Sequence, residues 1–168
     1  MGEEKIYAVI LDTPLGKIQA AARDNALTGL WFIGQKYFPS NAGSWENKPD
    51  HPVFTSLKIW LKDYFAHKNP KIPFPLKPEG TDFQQAVWKL LLKIPYGKTS
   101  TYGTIAAKLA SAEKKASAQA VGGAVGHNPI SLLIPCHRVL GADGSLTGYA
   151  GGLDKKQALL ELELPSGI

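Results

Sequence analysis

Residues 128–139 read Asn-Pro-Ile-Ser-Leu-Leu-Ile-Pro-Cys-His-Arg-Val, and the rest of the chain is best interpreted outward from them. The apolar run 130–134 is suited to a short buried strand, and Pro135 ends it directly before Cys136. Asn128-Pro129, at the other end, is a turn signal. We therefore expect the cysteine to lie at the end of a strand.

Cys136-His137 places a soft nucleophile beside a base. A nearby imidazole can lower the pKa of a thiol toward neutrality. Because successive side chains of an extended segment point to opposite faces, contact between the two requires a turn or a bridging water. A carboxylate on the second imidazole nitrogen would fix the tautomer, and Glu161 and Glu163 both qualify. An inert buried cysteine is the alternative that the residues alone leave open.

Helical patterns surround this segment in the C-terminal half. Two short helices joined by about six residues are typical of a helix-turn-helix, although ordinary helical hairpins share that outline. The second of them is nearly all small residues, which suits close approach to another surface or tight packing on a neighbouring helix. The expected helices run from Phe83 to about Lys93, from Ser100 or Thr101 to Ala110, from near Ser117 to between Gly126 and Pro129, and from Asp154 to Glu163.

The N-terminal half has a different pattern. Residues 5–33 contain three short apolar segments broken by turn residues, which predicts an antiparallel meander. Residues 52–65 have helical apolar spacing. Prolines at 70, 73, 75 and 78 exclude a helix or a central strand in the segment 67–80.

We therefore expect an α/β (α+β) fold with two domains. Residues 1–80 form a small mixed α/β domain with the meander, which ends in the Pro-rich linker 67–80. Residues 81–168 form a mainly helical domain with the helix-turn-helix and the reactive cysteine. The first domain is expected to act mainly as structural support for the second.

Composition narrows the class of protein. Lys plus Arg number 19 against 14 Asp plus Glu, and the net charge of +5 weakly favours an anionic partner. One cysteine excludes an intramolecular disulfide, and no zinc-binding spacing is present, so neither a metal nor a cofactor is expected. No signal peptide or apolar stretch of membrane-spanning length occurs, which indicates a cytoplasmic protein with no membrane partner.

Taken together, residues 134–139 strongly resemble the active-site motif of the O6-alkylguanine-DNA alkyltransferases, also called methylated-DNA-protein-cysteine methyltransferases. The resemblance covers residues 81–164 densely and in order, whereas the first 80 residues match only in length and general pattern. The further matching segments are Phe83–Trp88, Pro95–Lys98, Tyr102-Gly103, Ala120–Gly122, Asn128-Pro129 and Gly148–Gly152.

The resemblance implies DNA repair by irreversible transfer of an alkyl group from O6 of guanine to Cys136, with O4 of thymine as a further candidate. It implies that His137 acts on the thiol as a base through a water, and that Glu163 rather than Glu161 orients this histidine. Asn128 would tie the small-residue helix to the active-site strand. Tyr102 would press on the phosphate beside the target nucleotide and donate a proton or hydrogen bond to the departing base.

The substrate site implied by the resemblance contains Val139, Tyr149, Ala150 and Gly151. The backbone carbonyls of Cys136 and Val139 would accept from the guanine amino group, while Tyr149 and the Ala150 amide would line the pocket. The target base would have to be flipped out of the duplex, because its O6 carbon is otherwise buried in the stack.

The partner implied is double-stranded DNA carrying O6-alkylguanine, bound by a protein monomer through the minor groove. A helix rich in Gly and Ala can enter this narrow groove. Gln119 stands where the family commonly has an arginine, so we expect weaker and more salt-tolerant DNA binding. The DNA-binding residues implied are Tyr102, Ser117, Gln119, Ala120, Gly122 and Gly123.

Three rivals remain at this point. The first is a non-catalytic protein of the same fold that binds alkylated bases, and retention of Cys136 argues against it. The second is a thiol-dependent hydrolase, for which the sequence has no further signature. The third is a sequence-specific regulator, which would need base-reading side chains that the small-residue helix lacks apart from Gln119.

Overall fold

The N-terminal half is built on a four-stranded sheet. The computed structural model describes residues 5–111 and 117–164. Strands β1 (Tyr7–Thr13), β2 (Gly16–Arg23) and β3 (Ala26–Phe32) form the predicted antiparallel meander. A short strand that the sequence did not predict, β4 (Glu46–Asn47), pairs parallel to β1 and gives the order β3-β2-β1-β4.

A single helix covers this sheet. Helix α1 (Pro52–Phe65) has the predicted bounds, and His51 caps its N-terminus by accepting a hydrogen bond from Val53 N at 3.1 Å. Pro52 fits the first helical position because no intrahelical partner is lost there. The buried face of α1 contains Val53, Phe54, Leu57, Trp60, Leu61 and Tyr64.

The outer edge of β3 pairs with two later segments of the chain, one of them in the C-terminal half. Leu27 exchanges backbone hydrogen bonds with the proline-rich segment, donating to Pro75 O at 2.9 Å and accepting from Lys77 N at 2.8 Å. Further along the same edge, Leu30 donates to Pro129 O at 2.8 Å and accepts from Ser131 N at 2.9 Å. The sheet therefore carries the start of the segment that leads to Cys136.

The C-terminal half is mainly helical, as predicted. Thr81 and Gln84 form a reciprocal cap at the start of α2, which ends two residues earlier than expected. The expected turn between the second and third helices includes residues 112–116, which lie outside the described residues. The helices are α2 (Asp82–Leu91), α3 (Tyr102–Ser111), α4 (Ala118–Gly126) and α5 (Leu153–Glu163).

The predicted strand over 130–134 is wrong. Ile130 makes one bridge to Leu30, and the chain then turns on itself, with Leu132 in the left-handed region at φ 72°. Ile134 N donates to Ile130 O at 3.1 Å, which closes the turn. A continuous apolar run predicts burial, but it cannot distinguish a buried strand from a buried turn.

Cys136 therefore follows a turn and begins a short 3₁₀ segment, Cys136–Arg138. Directly after it, β6 (Val139–Leu140) pairs parallel with β5 (Ser100–Thr101). Both strands have two residues, which is too short for a sequence pattern to predict.

Both halves contribute to one apolar core. Leu27, Leu30, Phe54 and Leu57 from the first half are completely buried in the same cluster as Val87 and Leu91 of α2. The fold class is thus the predicted one, with a shared core behind the segment that bears the cysteine.

Truncating Leu30 should test this shared core. We expect Leu30→Ala to lower the free energy of unfolding by about 3 kcal/mol, because the side chain is fully buried and its neighbours relax only partly into the cavity. Ile59→Ala is the control, since Ile59 is 61 % exposed, and it should change stability by less than about 0.5 kcal/mol. Urea unfolding measures both, and equal effects would contradict the shared core.

Candidate active site

Asn128 organises the turn that presents the cysteine. Its side-chain amide donates to Ile134 O at 2.8 Å and Ile130 O at 3.3 Å, and its carbonyl accepts from Ile130 N at 3.0 Å. Asn128 is 4 % exposed, so these bonds also satisfy its buried polar atoms. The residue holds a turn in place rather than the strand that the sequence predicted.

Cys136 is 6 % exposed and is the one thiol of the sequence. Burial raises the pKa of the Cys136 thiol, against the opposing effects of the Asn128 amide and the Lys156 ammonium. The resting side chain is therefore a thiol at neutral pH, and a base must take its proton before it can act as a nucleophile.

His137, the next residue, is the candidate for this base. Its ring is fully buried, and Nε2 lies 2.7 Å from Glu163 Oε2, which identifies Nε2 as the donor to the carboxylate. Burial lowers the pKa of His137 in spite of the Glu163 hydrogen bond, which raises it. Nδ1 has no hydrogen-bond partner among residues 5–111 and 117–164, so its lone pair is available.

Glu163 is the acceptor for several converging donors. Arg138 binds it through Nε at 2.8 Å and Nη2 at 3.0 Å, and Tyr64 donates to it at 2.5 Å. The Gly97 amide donates at 3.3 Å. Burial alone would raise the pKa of Glu163, but the hydrogen bonds from His137, Arg138 and Tyr64 outweigh it and hold the pKa at about 2.

A cavity of about 430 Å³ opens beside the thiol. Tyr102, Tyr149 and Ala150, three of the predicted site residues, line it together with Cys136. Val139 is completely buried and is not among the lining residues. The full lining is Lys36, Tyr37, Tyr102, Gly122, Gly123, Val125, Gly126, Cys136, Gly148, Tyr149, Ala150, Gly152 and Leu153.

Gly151 has a packing role rather than a place on the cavity wall. A Cβ at this position would lie 2.9 Å from the rings of both Phe32 and Tyr149. Glycine therefore lets the loop after β6 approach the N-terminal sheet closely.

Helix α4 contributes one wall of the cavity and an exposed N-terminus. Ser117 caps it by accepting from Ala120 N at 3.0 Å. Gln119 and Ala120 are exposed, so they lie on the outer surface, away from the thiol. Gly122 and Gly123 line the cavity, and a Cβ at Gly122 would lie 3.8 Å from the Tyr102 ring.

Lys156 is a residue of the site that the sequence did not predict. It is completely buried, and its ammonium donates to Thr147 O at 2.7 Å and Gly148 O at 3.2 Å. Burial lowers its pKa to about 8. The Tyr102 hydroxyl also donates to Thr147 O, at 3.0 Å, so one carbonyl fixes both side chains. The sequence did contain a signal for this burial, because Lys156 lies on the same face of α5 as Leu159 and Glu163.

Lys36 and Tyr37 were also missed. They belong to the loop after β3, and Lys36 N donates to Ala150 O at 3.0 Å. The Tyr37 ring stacks on His127 at a centroid distance of 3.9 Å. No local sequence pattern connects this loop with the cavity, because the contact crosses from one half of the chain to the other.

A second groove, of about 470 Å³, lies between the β1–β2 turn and α1. It contains neither the thiol nor a histidine, so the cavity at Cys136 is the better candidate for chemistry. In the described ranges, no three His, Cys, Asp or Glu side chains are grouped to hold a metal ion. Within those same ranges, every helix is too short or too polar to cross a bilayer.

Known families match both halves of the chain. Residues 82–164 match the model of the 6-O-methylguanine DNA methyltransferase DNA binding domain. Residues 6–78 match the ribonuclease-like domain of 6-O-methylguanine DNA methyltransferase.

Curated relatives match over nearly the whole length. The methylated-DNA–protein-cysteine methyltransferase of Mycobacterium tuberculosis is 46 % identical over 158 residues, which cover 94 % of this chain and 92 % of the relative. The protein of the same name from Methanosarcina barkeri is 45 % identical, with 94 % and 97 % covered. The crystal structure of Mycobacterium tuberculosis OGT in complex with DNA is similar with a TM-score of 0.84 and 42 % identity, covering 95 % of this chain and 96 % of that one.

The buried carboxylate should make stability depend on pH. Because the folded pKa of Glu163 lies below its ordinary value of 4.5, its contribution is present above pH 4.5 and is lost as the pH falls toward 2. The difference in unfolding free energy between the wild type and Glu163→Gln should therefore shrink by about 3 kcal/mol over this window.

Glu161→Gln is the matched control, since Glu161 is exposed on the same helix. Its unfolding free energy should follow the wild type at every pH. Chemical unfolding between pH 2 and pH 7 measures all three proteins, and a constant difference between wild type and Glu163→Gln would refute the assignment.

Proposed function

Because this chain belongs to the 6-O-methylguanine DNA methyltransferase family, we propose that Cys136 is the residue that accepts the alkyl group when the protein repairs alkylated DNA. The observation that carries the proposal is that the one thiol of the sequence borders the cavity and is followed directly by the His137–Glu163 pair. The sulfur attacks the carbon on O6 of guanine, the new S–C bond forms, and the C–O6 bond breaks. The product is a thioether, so each protein molecule repairs one lesion.

Proton transfer accompanies this displacement. The raised pKa of the Cys136 thiol means that its proton must leave as the sulfur attacks. His137 Nδ1 accepts it through one water, and Glu163 holds Nε2–H so that Nδ1 keeps its lone pair. Tyr102, on the cavity wall, supplies a proton or hydrogen bond to the guanine as it leaves.

The cavity accommodates a flipped O6-alkylguanine. Tyr149 and the Ala150 amide line it, and the Cys136 carbonyl accepts from the guanine amino group, whereas the buried Val139 does not border the cavity. Gly151 shapes the same loop through its close packing on Phe32. Beneath this loop, the ammonium of the buried Lys156 donates to the carbonyls of Thr147 and Gly148.

DNA is the partner of this protein. We propose that α4 enters the minor groove with its small exposed residues, and that Tyr102 presses on the phosphate beside the flipped nucleotide. The net charge of +5 supports binding to a polyanion. The contact residues proposed on and before α4 are Ser117, Gln119, Ala120, Gly122 and Gly123. The protein is proposed to act as a monomer in the cytoplasm.

Intact-mass spectrometry after mixing the protein with a duplex that contains one O6-methylguanine tests the reaction. We expect a gain of one methyl group on Cys136, with at most one equivalent transferred. Cys136→Ser should bind the same duplex and gain nothing. Lesion binding without any mass change in the wild type would instead support a non-catalytic alkylated-base-binding protein.

Gln119→Arg should bind DNA severalfold more tightly, with a steeper dependence on salt, because it restores a positive charge at the DNA-facing end of α4. Gln157→Arg is the control, since it adds the same charge at an exposed position of α5. Fluorescence anisotropy with a labelled duplex over a salt series measures both. Equal effects of the two substitutions would contradict the placement of Gln119 on the DNA.

A further inference from the structure

One side-chain hydrogen bond links the N-terminal half to the carboxylate that orients His137. Tyr64 of α1 is 1 % exposed, and its hydroxyl donates to Glu163 Oε2 at 2.5 Å. His137 Nε2 donates to the same oxygen at 2.7 Å. The other donors to Glu163 in the part of the chain that the structure describes, Gly97 and Arg138, come from the C-terminal half.

The Tyr64 ring is held in place by packing that does not involve Glu163. It stacks on Trp60 at a centroid distance of 5.1 Å and an interplanar angle of 8°. The rings of Phe65 and Tyr96 meet it edge-on at 5.3 Å and 6.1 Å. The hydroxyl is thus delivered to Oε2 by a side chain that is already ordered, so the hydrogen bond fixes the carboxylate rather than the tyrosine.

Three side-chain donors share the charge of Glu163 Oε2: Tyr64, His137 and Arg138, whose Nη2 donates at 3.0 Å. Burial, together with the negative charge of Glu163, raises the pKa of Tyr64 far above its ordinary value, so the phenol stays a neutral donor. By withdrawing charge from Oε2, it limits how strongly Glu163 stabilises a protonated His137.

We propose that Tyr64 is a positioning residue of the alkyl-transfer reaction, through which the N-terminal half sets the orientation and protonation of His137. This inference rests on the function proposed above. It assigns to the N-terminal half a part in the chemistry beyond the structural support expected from the sequence.

Removing the Tyr64 hydroxyl should raise the pKa of His137. With more negative charge on Oε2 the imidazolium is stabilised, and His137 stays protonated to a higher pH. Since His137 must be neutral to accept a proton, the acidic limb of the profile of transfer rate against pH moves to higher pH. The substitution leaves the other titratable or charged groups near His137 unchanged. These groups are Cys136, Arg138, Lys156, Tyr149 and, beside Arg138, Tyr96.

The full-length Tyr64→Phe variant tests this inference, with Tyr96→Phe as its matched control. Tyr96 lies edge-on to Tyr64, but its hydroxyl donates to Leu162 O at 3.4 Å and not to Glu163. Single-turnover transfer from an O6-methylguanine duplex is followed by intact mass across a pH series. The pKa of His137 is measured in parallel by NMR titration of its ring, and DNA binding by anisotropy.

We expect Tyr64→Phe to shift the acidic limb and the His137 pKa upward by about half a pH unit, which is about a threefold loss of rate on that limb. Tyr96→Phe should match the wild type, and DNA binding should be unchanged in both. A 3-fluorotyrosine at position 64 is a stronger donor and should shift both quantities downward, which provides a second test if the Phe variant folds poorly.

An unchanged rate profile and an unchanged His137 pKa in Tyr64→Phe, with only a loss of thermal stability, would overturn the proposal. If the wild type transfers no alkyl group at all, the proposed function fails instead. The NMR titration then still decides the role of Tyr64, since a His137 pKa that moves in Tyr64→Phe but not in Tyr96→Phe supports the coupling and an unmoved one refutes it.

Discussion

The rest of the site depends on the solvation of a single buried carboxylate. Removing an ionised Glu163 from water is costly, and the protein offsets this cost by surrounding both oxygens with donors. These donors come from α1, from the loop after α2 and from the 3₁₀ segment Cys136–Arg138. Each of these segments is thereby fixed relative to α5. The segment Cys136–Arg138 is held in place by the same contacts that keep the Glu163 carboxylate ionised.

Several elements could be predicted from local sequence because their causes are local. The apolar spacing in 52–65 and the Thr81–Gln84 cap each identify a helix without knowledge of its neighbours. The Cys136-His137 pair indicated a reactive thiol for the same reason, although the residues alone left an inert buried cysteine open. The strand predicted over 130–134 was wrong because an apolar run indicates burial and not the backbone conformation. The turn that forms instead, with Leu132 in the left-handed region, depends on Asn128. The boundary expected after residue 80 stays a prediction.

Other parts of the site could not be found in this way because they depend on contacts between distant residues. Tyr64 and Glu163 are 99 positions apart, and within α1 the tyrosine is one of several buried apolar residues. The loop with Lys36 and Tyr37 reaches the cavity only because β3 carries it there. Such residues can be recognised as part of the site only from the folded structure, in which the two halves of the chain are in contact.

The backbone pairing of Leu30 with Pro129 and Ser131 has a consequence for when the thiol becomes competent. If Cys136 accepts one alkyl group irreversibly, as proposed above, any electrophile that alkylates it before the site is complete inactivates the molecule. In a chain whose N-terminal sheet has not yet formed, the turn before Cys136 lacks its anchor and His137 lacks a fully ordered carboxylate. The surroundings of the Cys136 thiol are therefore complete only in a chain whose N-terminal sheet is in place.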